Sequence, residues 1–285
     1  MTLQYWYMLP IAVVIGAIAT ASGIGGATFF APLFVLVLGI APEVAIGAAL
    51  ITEVFGFTSG FYSYARRRVI DYRLGTALLV ATIPMALLGT WISELIEPDV
   101  LKAILGVGLF AVAANALRKL EPEAVQGRDK AIHRECGDGK GETCLITAKG
   151  EEICYTVCNR TEGRMIASVG ALFKGMIGTG LGEIDDHFLL ERCRVPSIVS
   201  VATGVFVLLF TTLSASLGHL LGFVQTGGSV LNTVLSLLLF TIPGVLIGGQ
   251  LGPWVAIHSP RRAFDRVLHA VLLLAAGLLL VEVAI

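Results

Sequence analysis

Charged residues along this chain sit in short clusters, and between the clusters run apolar stretches of roughly 17 to 25 residues, the length a helix needs to cross a hydrocarbon core of about 30 Å. Six stretches predict full crossings: Val44 to Tyr64, Leu74 to Ile92, Val100 to Leu117, Val195 to Leu217, Val230 to Trp254 and Val267 to Val283. Two other segments, Tyr5 to Ile40 and Met165 to Arg192, begin as apolar helices and then break at glycines. The first break reads Ser22-Gly23-Ile24-Gly25-Gly26 and the second Thr179-Gly180-Leu181-Gly182-Glu183. The apolar pieces that follow, Ala27 to Leu38 and Ile184 to Leu190, are too short to cross and are expected to be half-helices that enter and return.

The broken segments belong to an internal repeat. Gly23-x-Gly25 matches Gly180-x-Gly182, and Pro42 and Pro196 each open the next helix, where a missing N–H costs nothing. Ala48 and Ala202 fall six residues after those prolines. Thr82-Ile83-Pro84-x-x-Leu87-x-Gly89 then pairs with Thr241-Ile242-Pro243-x-x-Leu246-x-Gly248. The landmarks keep their order, so the chain divides into a first transmembrane repeat (1–117), an insert (118–164) and a second repeat (165–285).

Composition narrows the class. The chain is 55% hydrophobic with only 14% charged residues, where a soluble domain carries about a quarter. Too few charges are present to coat a soluble core, so an all-α polytopic protein of the cell membrane is expected. The net charge is −1 and no long basic patch is present, so nucleic acid is not expected as a partner. No basic residue precedes the first apolar run, and that run belongs to the repeat, so it is expected to stay in the mature protein rather than act as a signal peptide.

Charge also selects a topology. If each broken segment crosses once, Arg66, Arg67 and Arg68 fall on the opposite side from Arg261, Arg262 and Arg266, against the rule that basic loops stay cytoplasmic. If each enters and returns, these arginines share a side with Arg73, Arg192, Arg194 and the insert. The other side then receives Glu94, Glu97 and Asp99, with Lys102 as an exception. This arrangement makes the insert cytoplasmic and the two repeats inverted, an architecture used by transporters.

Gly23-Ile24-Gly25-Gly26-Ala27, the following Ala31-Pro32-Leu33, and Gly175-x-x-Gly178-Thr179-Gly180-Leu181-Gly182 resemble the sulfite exporter TauE/SafE family. The resemblance covers nearly the whole chain outside residues 120–160. It implies a multi-pass carrier, not an enzyme, whose cargo is a small sulfur-containing anion such as sulfite, a sulfonate or sulfoacetate. Glu183 departs from the pattern, standing where another small residue is common.

Helix starts carry N–H groups without partners and the positive end of the peptide dipoles, so two half-helix starts suit an oxyanion. Gly23, Gly25, Gly26, Gly180 and Gly182 let the backbone turn and approach the cargo, and the hydroxyls of Thr28 and Thr179 add donors. Ionisable groups inside a membrane are functional candidates. Lys174, just before the second break, is a candidate anion holder, with Glu53 its salt-bridge partner or a proton carrier and Glu183 either that or a helix cap. Thr52 and Thr203 are candidate path-lining residues. The same glycines also serve tight helix packing, and the same threonines can bond their own backbone.

The insert holds four cysteines, Cys136, Cys144, Cys154 and Cys158, around a predicted hairpin formed by Thr143 to Ala148 and Ile153 to Val157. A hairpin this small needs a staple. The candidates are a structural zinc ion or iron–sulfur cluster, disulfides if the insert lies outside, or reduced thiols. Cys193 stands apart and is expected to serve packing. No cofactor is expected for transport itself. No phosphate-binding G-x-x-x-x-G-K-[ST] loop is present, so coupling to an ion gradient, such as H+, is expected rather than ATP hydrolysis. Oligomeric state stays open between monomer and homodimer. An anion channel and a membrane-embedded sulfur or redox enzyme are the competing functions.

Overall fold

A computed structural model describes residues 3–118, 142–156, 160–180, 182, 189, 193, 195–226, 228–258, 270 and 272–281. The helices are α1 (Met8–Ser22), α2 (Ala27–Leu36), α3 (Pro42–Arg67), α4 (Tyr72–Ser93), α5 (Pro98–Arg118), α6 (Arg160–Ile177), α7 (Ser197–Thr226), α8 (Gly228–His258) and α9 (Leu272–Val281). The insert contributes strands β1 (Glu142–Ile146) and β2 (Glu152–Thr156). Among the described residues four helices, α3, α4, α7 and α8, are long and apolar enough to cross a membrane by length and composition. The protein is therefore an all-α polytopic membrane protein with a small β-hairpin insert. Val80, Trp91, Leu221, Trp254 and Leu274 are exposed on its surface, as expected where hydrocarbon rather than water is the solvent.

Local chemistry explains the element ends. Gly23 stops α1 in the left-handed conformation (φ 77°), and its N–H reaches back to Ala19 O at 2.9 Å. Pro42 opens α3 after an extended Ala41. Asp71 caps α4 by accepting the Leu74 N–H at 2.9 Å.

Cross-contacts give the helix directions. α3 and α8 run the same way, with Thr52 against Thr241, Gly56 against Val245 and Gly60 against Gly249. α4 and α7 also run together, with Gly75 against Phe206, Thr82 against Thr211 and Thr90 against Gly218. α3 and α7 are opposed, since Gly47 packs on Phe223 whereas Phe61 meets Phe206. α1 lies along α8 in the same direction, with Ala12 against Gly244, Val13 against Gly248 and Thr20 against Gly252.

Several contacts occur twice with their partners exchanged between the halves. Thr52 pairs with Thr241, and Thr211 with Thr82; here 211 − 52 and 241 − 82 both equal 159. Gly16 packs on Val245 and Gly175 on Ala86, while Gly248 packs on Val13 and Gly89 on Leu172, at the same offset of 159. This register coincides with the Thr-Ile-Pro landmarks in the sequence. It pairs Gly23 with Gly182, two residues away from the glycine-to-glycine match between the breaks.

The hairpin is antiparallel and docks on the α3–α4 corner. The Ala148 N–H donates to Arg67 O at 3.0 Å, and Tyr155 OH donates to Asp71 Oδ2 at 2.8 Å. The insert and Arg66, Arg67 and Arg68 therefore share one end of the molecule. Arg192, Arg194, Arg261, Arg262 and Arg266 lie outside the described residues.

A Cβ at Gly89 would collide with the backbone carbonyl of Leu172, and one at Gly248 with that of Val13. Gly89→Leu and Gly248→Leu are expected to lose folded yield and thermal stability, by about 1–3 kcal/mol or more for such overpacking. Size-exclusion profiles and melting curves in detergent check this, with Gly277→Leu, where a Cβ meets nothing within 4 Å, as the tolerant control.

Candidate functional site

Glu53 lies midway along α3 and Lys174 in the last turn of α6, and both are buried, at 2% and 0% exposure. Lys174 Nζ donates to Glu53 Oε1 and Oε2 at 2.7 Å each, and to Gly178 O at 3.0 Å. Glu53 Oε2 also accepts the Ala27 N–H at 2.9 Å. That N–H belongs to the first residue of α2, where a helix has no internal acceptor and favours negative charge. The Glu53 carboxylate thus occupies the kind of place that the sequence assigns to an incoming anion. It is held by a cation, by a helix start and by the α6 end to which that cation is tied.

The glycine breaks meet at this pair. Thr28 Oγ1 donates to Thr179 Oγ1 at 3.0 Å, joining the segment after the first break to the second break. A side chain on Gly25 would strike Lys174 Nζ and sit 3.2 Å from Glu53 Oε1 and 3.3 Å from Thr28 Oγ1. One on Gly182 would strike Gly23 O and sit 3.4 Å from Gly25 N. A Cβ on Gly26 would lie 3.6 Å from both Glu53 Cγ and Ala19 Cβ. Gly180 adopts φ 114°, a conformation that L side chains rarely take. The structure therefore brings together Gly23, Gly25, Gly26, Thr28, Glu53, Lys174, Thr179 and Gly182.

Other sequence candidates fall elsewhere. Thr52 Oγ1 lies 2.9 Å from Thr241 Oγ1, tying α3 to α8 one residue before Glu53. Thr203 is set apart: its hydroxyl accepts the Asp71 N–H at 3.0 Å near the α3–α4 corner. Glu183, with Asp185, Asp186 and His187 behind it, lies outside the described residues. Sequence reasoning missed the Ala27 N–H as a partner of Glu53, and it missed the Thr82–Thr211 pair at 2.8 Å. Thr82 and Thr241 were nonetheless visible as the first residues of the repeated Thr-Ile-Pro motif. His219 of α7 is also buried, with Nε2 3.1 Å from Gly175 O.

The cysteines depart from a four-ligand metal set. Cys144 and Cys154 face each other across the hairpin and are joined as a disulfide (S–S 2.05 Å). Their sulfurs and a Glu152 carboxylate oxygen lie within 4.8 Å of one another. Reduced, these three groups are a potential metal triad; oxidised, the sulfurs are spent on each other and staple the strands covalently. Cys136 and Cys158 lie outside the described residues. Cys193 is disulfide-bonded rather than a plain packing residue, a role its isolated place in the sequence gave no reason to expect.

The sequence profile of the sulfite exporter TauE/SafE family matches residues 8–279. Over 288 residues the chain is 22% identical to "Probable membrane transporter protein YunE" of Bacillus subtilis (strain 168), covering 98% of both chains. Over 283 residues it is 28% identical to "Probable membrane transporter protein YjnA" of the same organism, covering 94% of this chain and 96% of the relative. No solved structure gives a significant match. The profile match takes in both glycine breaks, the ion pair between them and all four long apolar helices, and on that evidence the chain belongs to the sulfite exporter TauE/SafE family, a non-catalytic family of multi-pass membrane transporters for small anions.

Proposed function

We propose that this protein carries small sulfur-containing anions, such as sulfite, sulfonates or sulfoacetate-like organosulfonates, outward across the membrane, by alternating access around the junction of the two glycine breaks. The observation that carries this reading is the buried Glu53 carboxylate held jointly by Lys174 and the start of α2. A sulfur oxyanion presents acceptor oxygens to the same donors. Protonating Glu53 weakens its hold on Nζ and on the Ala27 N–H and makes both available to a competing oxyanion, so the coupling ion in this scheme is H+.

The two halves act as inverted repeats. The opposed directions of α3 and α7, and the contacts exchanged at a constant offset, support a pseudo-twofold axis through the site. The first broken segment is re-entrant. α1 and α3 both run with α8, so the chain has to turn back between them, and α2 supplies the return. Rocking one half against the other about the axis exposes the junction first to one side and then to the other.

The arginines and the disulfide pull the insert in opposite directions. Many arginines act together on membrane insertion, whereas a disulfide records local redox conditions. The insert is therefore placed on the cytoplasmic side. After mild reduction, a membrane-impermeant maleimide is expected to label Cys144 and Cys154 in inside-out vesicles and not in intact cells. Labelling in intact cells reverses the orientation.

Proteoliposomes carrying the purified protein are expected to exchange or accumulate at least one of sulfite, isethionate, sulfoacetate and thiosulfate above protein-free liposomes, with a response to an imposed pH gradient. Failure across this panel rejects the cargo class. Gly25→Val displaces Lys174 Nζ from Glu53 and is expected to cut the transport rate by about a hundredfold, as misplaced reacting or binding groups do, while the protein still elutes as a folded species.

Breaking the ion pair leaves a buried charge uncompensated. Lys174→Met alone is expected to cost about 3–5 kcal/mol of stability. The double variant Lys174→Met with Glu53→Leu is expected to recover most of that loss but no transport. Thermal melts of the four members of the cycle, read beside proteoliposome flux, check both halves of this statement.

A further inference from the structure

Two buried hydroxyls are left over by the packing. Thr212 Oγ1 and Ser216 Oγ on α7 have no hydrogen-bond partner among the described residues, although the two residues are 0% and 5% exposed. Leaving a buried donor unmet is costly, and native structures keep few such groups without a reason.

Their position is defined by the neighbours on the same helix face. Helical spacing puts Leu208, Thr212, Ser216, His219 and Phe223 on one side of α7. Leu208 lies 3.1 Å from where a Cβ on Gly182 would be, which sets one end of the stripe against the second glycine break. At the other end His219 Nε2 reaches Gly175 O, next to Lys174, and Phe223 packs on Gly47 of α3. The face thus looks onto α3 and α6, the two helices that carry Glu53 and Lys174.

The height agrees. α3 and α7 run in opposite directions between the Gly47–Phe223 and Phe61–Phe206 contacts. Glu53 lies between those contacts on α3, and Thr212 and Ser216 lie between them on α7. Thr212 is also the residue that the offset of 159 pairs with Glu53 (212 − 53 = 159). One half carries a carboxylate at this place, and the other carries a hydroxyl that has no hydrogen-bond partner among the described residues.

We infer that Thr212 and Ser216 form the wall of the anion site opposite the Glu53–Lys174 pair and donate their hydroxyls to the oxygens of a sulfo group or a comparable sulfur oxyanion. Lys174 and the start of α2 supply positive potential, and the two hydroxyls supply directed donors one helical turn apart. This rests on the carrier reading above and adds to it the residues that fix the orientation of the cargo.

Thr212→Val and Ser216→Ala remove a hydroxyl with little change of shape. The probe is isethionate, whose sulfo group stays ionised across the working pH range, compared with chloride at equal ionic strength. In detergent, isethionate is expected to raise the Tm of the wild type, and each variant is expected to lose most of that shift. Without ligand, each variant is expected to melt at or above the wild-type temperature, because an unmet buried hydroxyl has been removed. In counterflow, KM for isethionate is expected to rise roughly tenfold or more in each variant, the worth of one hydrogen bond to a charged group, with maximal rate retained. Thr212→Ser keeps the hydroxyl and is expected to keep the wild-type KM, which covers the case in which Thr212→Val does not fold.

A lowered ligand-free Tm with unchanged KM makes the hydroxyls structural and overturns the inference. Unchanged KM and an unchanged ligand shift in both variants also overturn it, while leaving the carrier reading intact. If the wild type moves no anion of the panel, the cargo reading fails and the inference fails with it.

Discussion

The junction depends on a single constraint: a lysine and a glutamate buried inside an apolar bundle have to satisfy each other or be expelled. Taking either charge out of water costs several kcal/mol, which only close pairing and further hydrogen bonds repay. Here the repayment is threefold. Lys174 is held by both oxygens of Glu53, Glu53 takes the first N–H of α2, and Lys174 is tied back to the carbonyl of Gly178. The pair therefore fixes α3, α6 and the start of α2 relative to one another.

Glycines make that arrangement physically possible. Lys174 Nζ occupies the space that a Gly25 side chain would need, and Gly182 brings the second break against the backbone of the first. Away from the junction, glycines let α1 approach α8 and α6 approach α4 at backbone distance. In lipid no hydrophobic force draws helices together, so close backbone packing and interhelical hydroxyl pairs such as Thr52–Thr241 and Thr82–Thr211 carry the association. These contacts recur with exchanged partners, so the first helix of each half is bound mainly to the other half. The two halves are interlocked.

The insert is attached to the same framework. Asp71 caps α4, takes the Tyr155 hydroxyl from the hairpin, and donates its own N–H to Thr203 of α7. One corner residue thus links the hairpin, α4 and α7. Movement of α4 against α7 would be felt at the hairpin, which the Cys144–Cys154 bond keeps as one piece.

The sequence by itself determined the class, four of the six expected crossings and the existence of two glycine breaks. Apolar length sets a span regardless of what surrounds it, and α3, α4, α7 and α8 lie close to where hydropathy puts them. Glycine placement marked α1 and α2 as separate pieces, and the Thr-Ile-Pro repeat carried the register that the contacts later follow. Glu53 and Lys174 could be picked out singly, since a charge in an apolar helix is conspicuous without a structure. The ion pair between them was one of the two roles the sequence left open for Glu53; its closure across 121 positions, the Ala27 N–H that completes it, the bonding of Thr203 to the Asp71 N–H and the absence of a partner for the Thr212 and Ser216 hydroxyls among the described residues were decided only by the tertiary structure. Hydropathy and spacing act along one helix, whereas these relations arise where helices distant in the chain come into contact. Threonine and serine are too common in apolar helices for their sequence positions to tell a bonded hydroxyl from an unmet one.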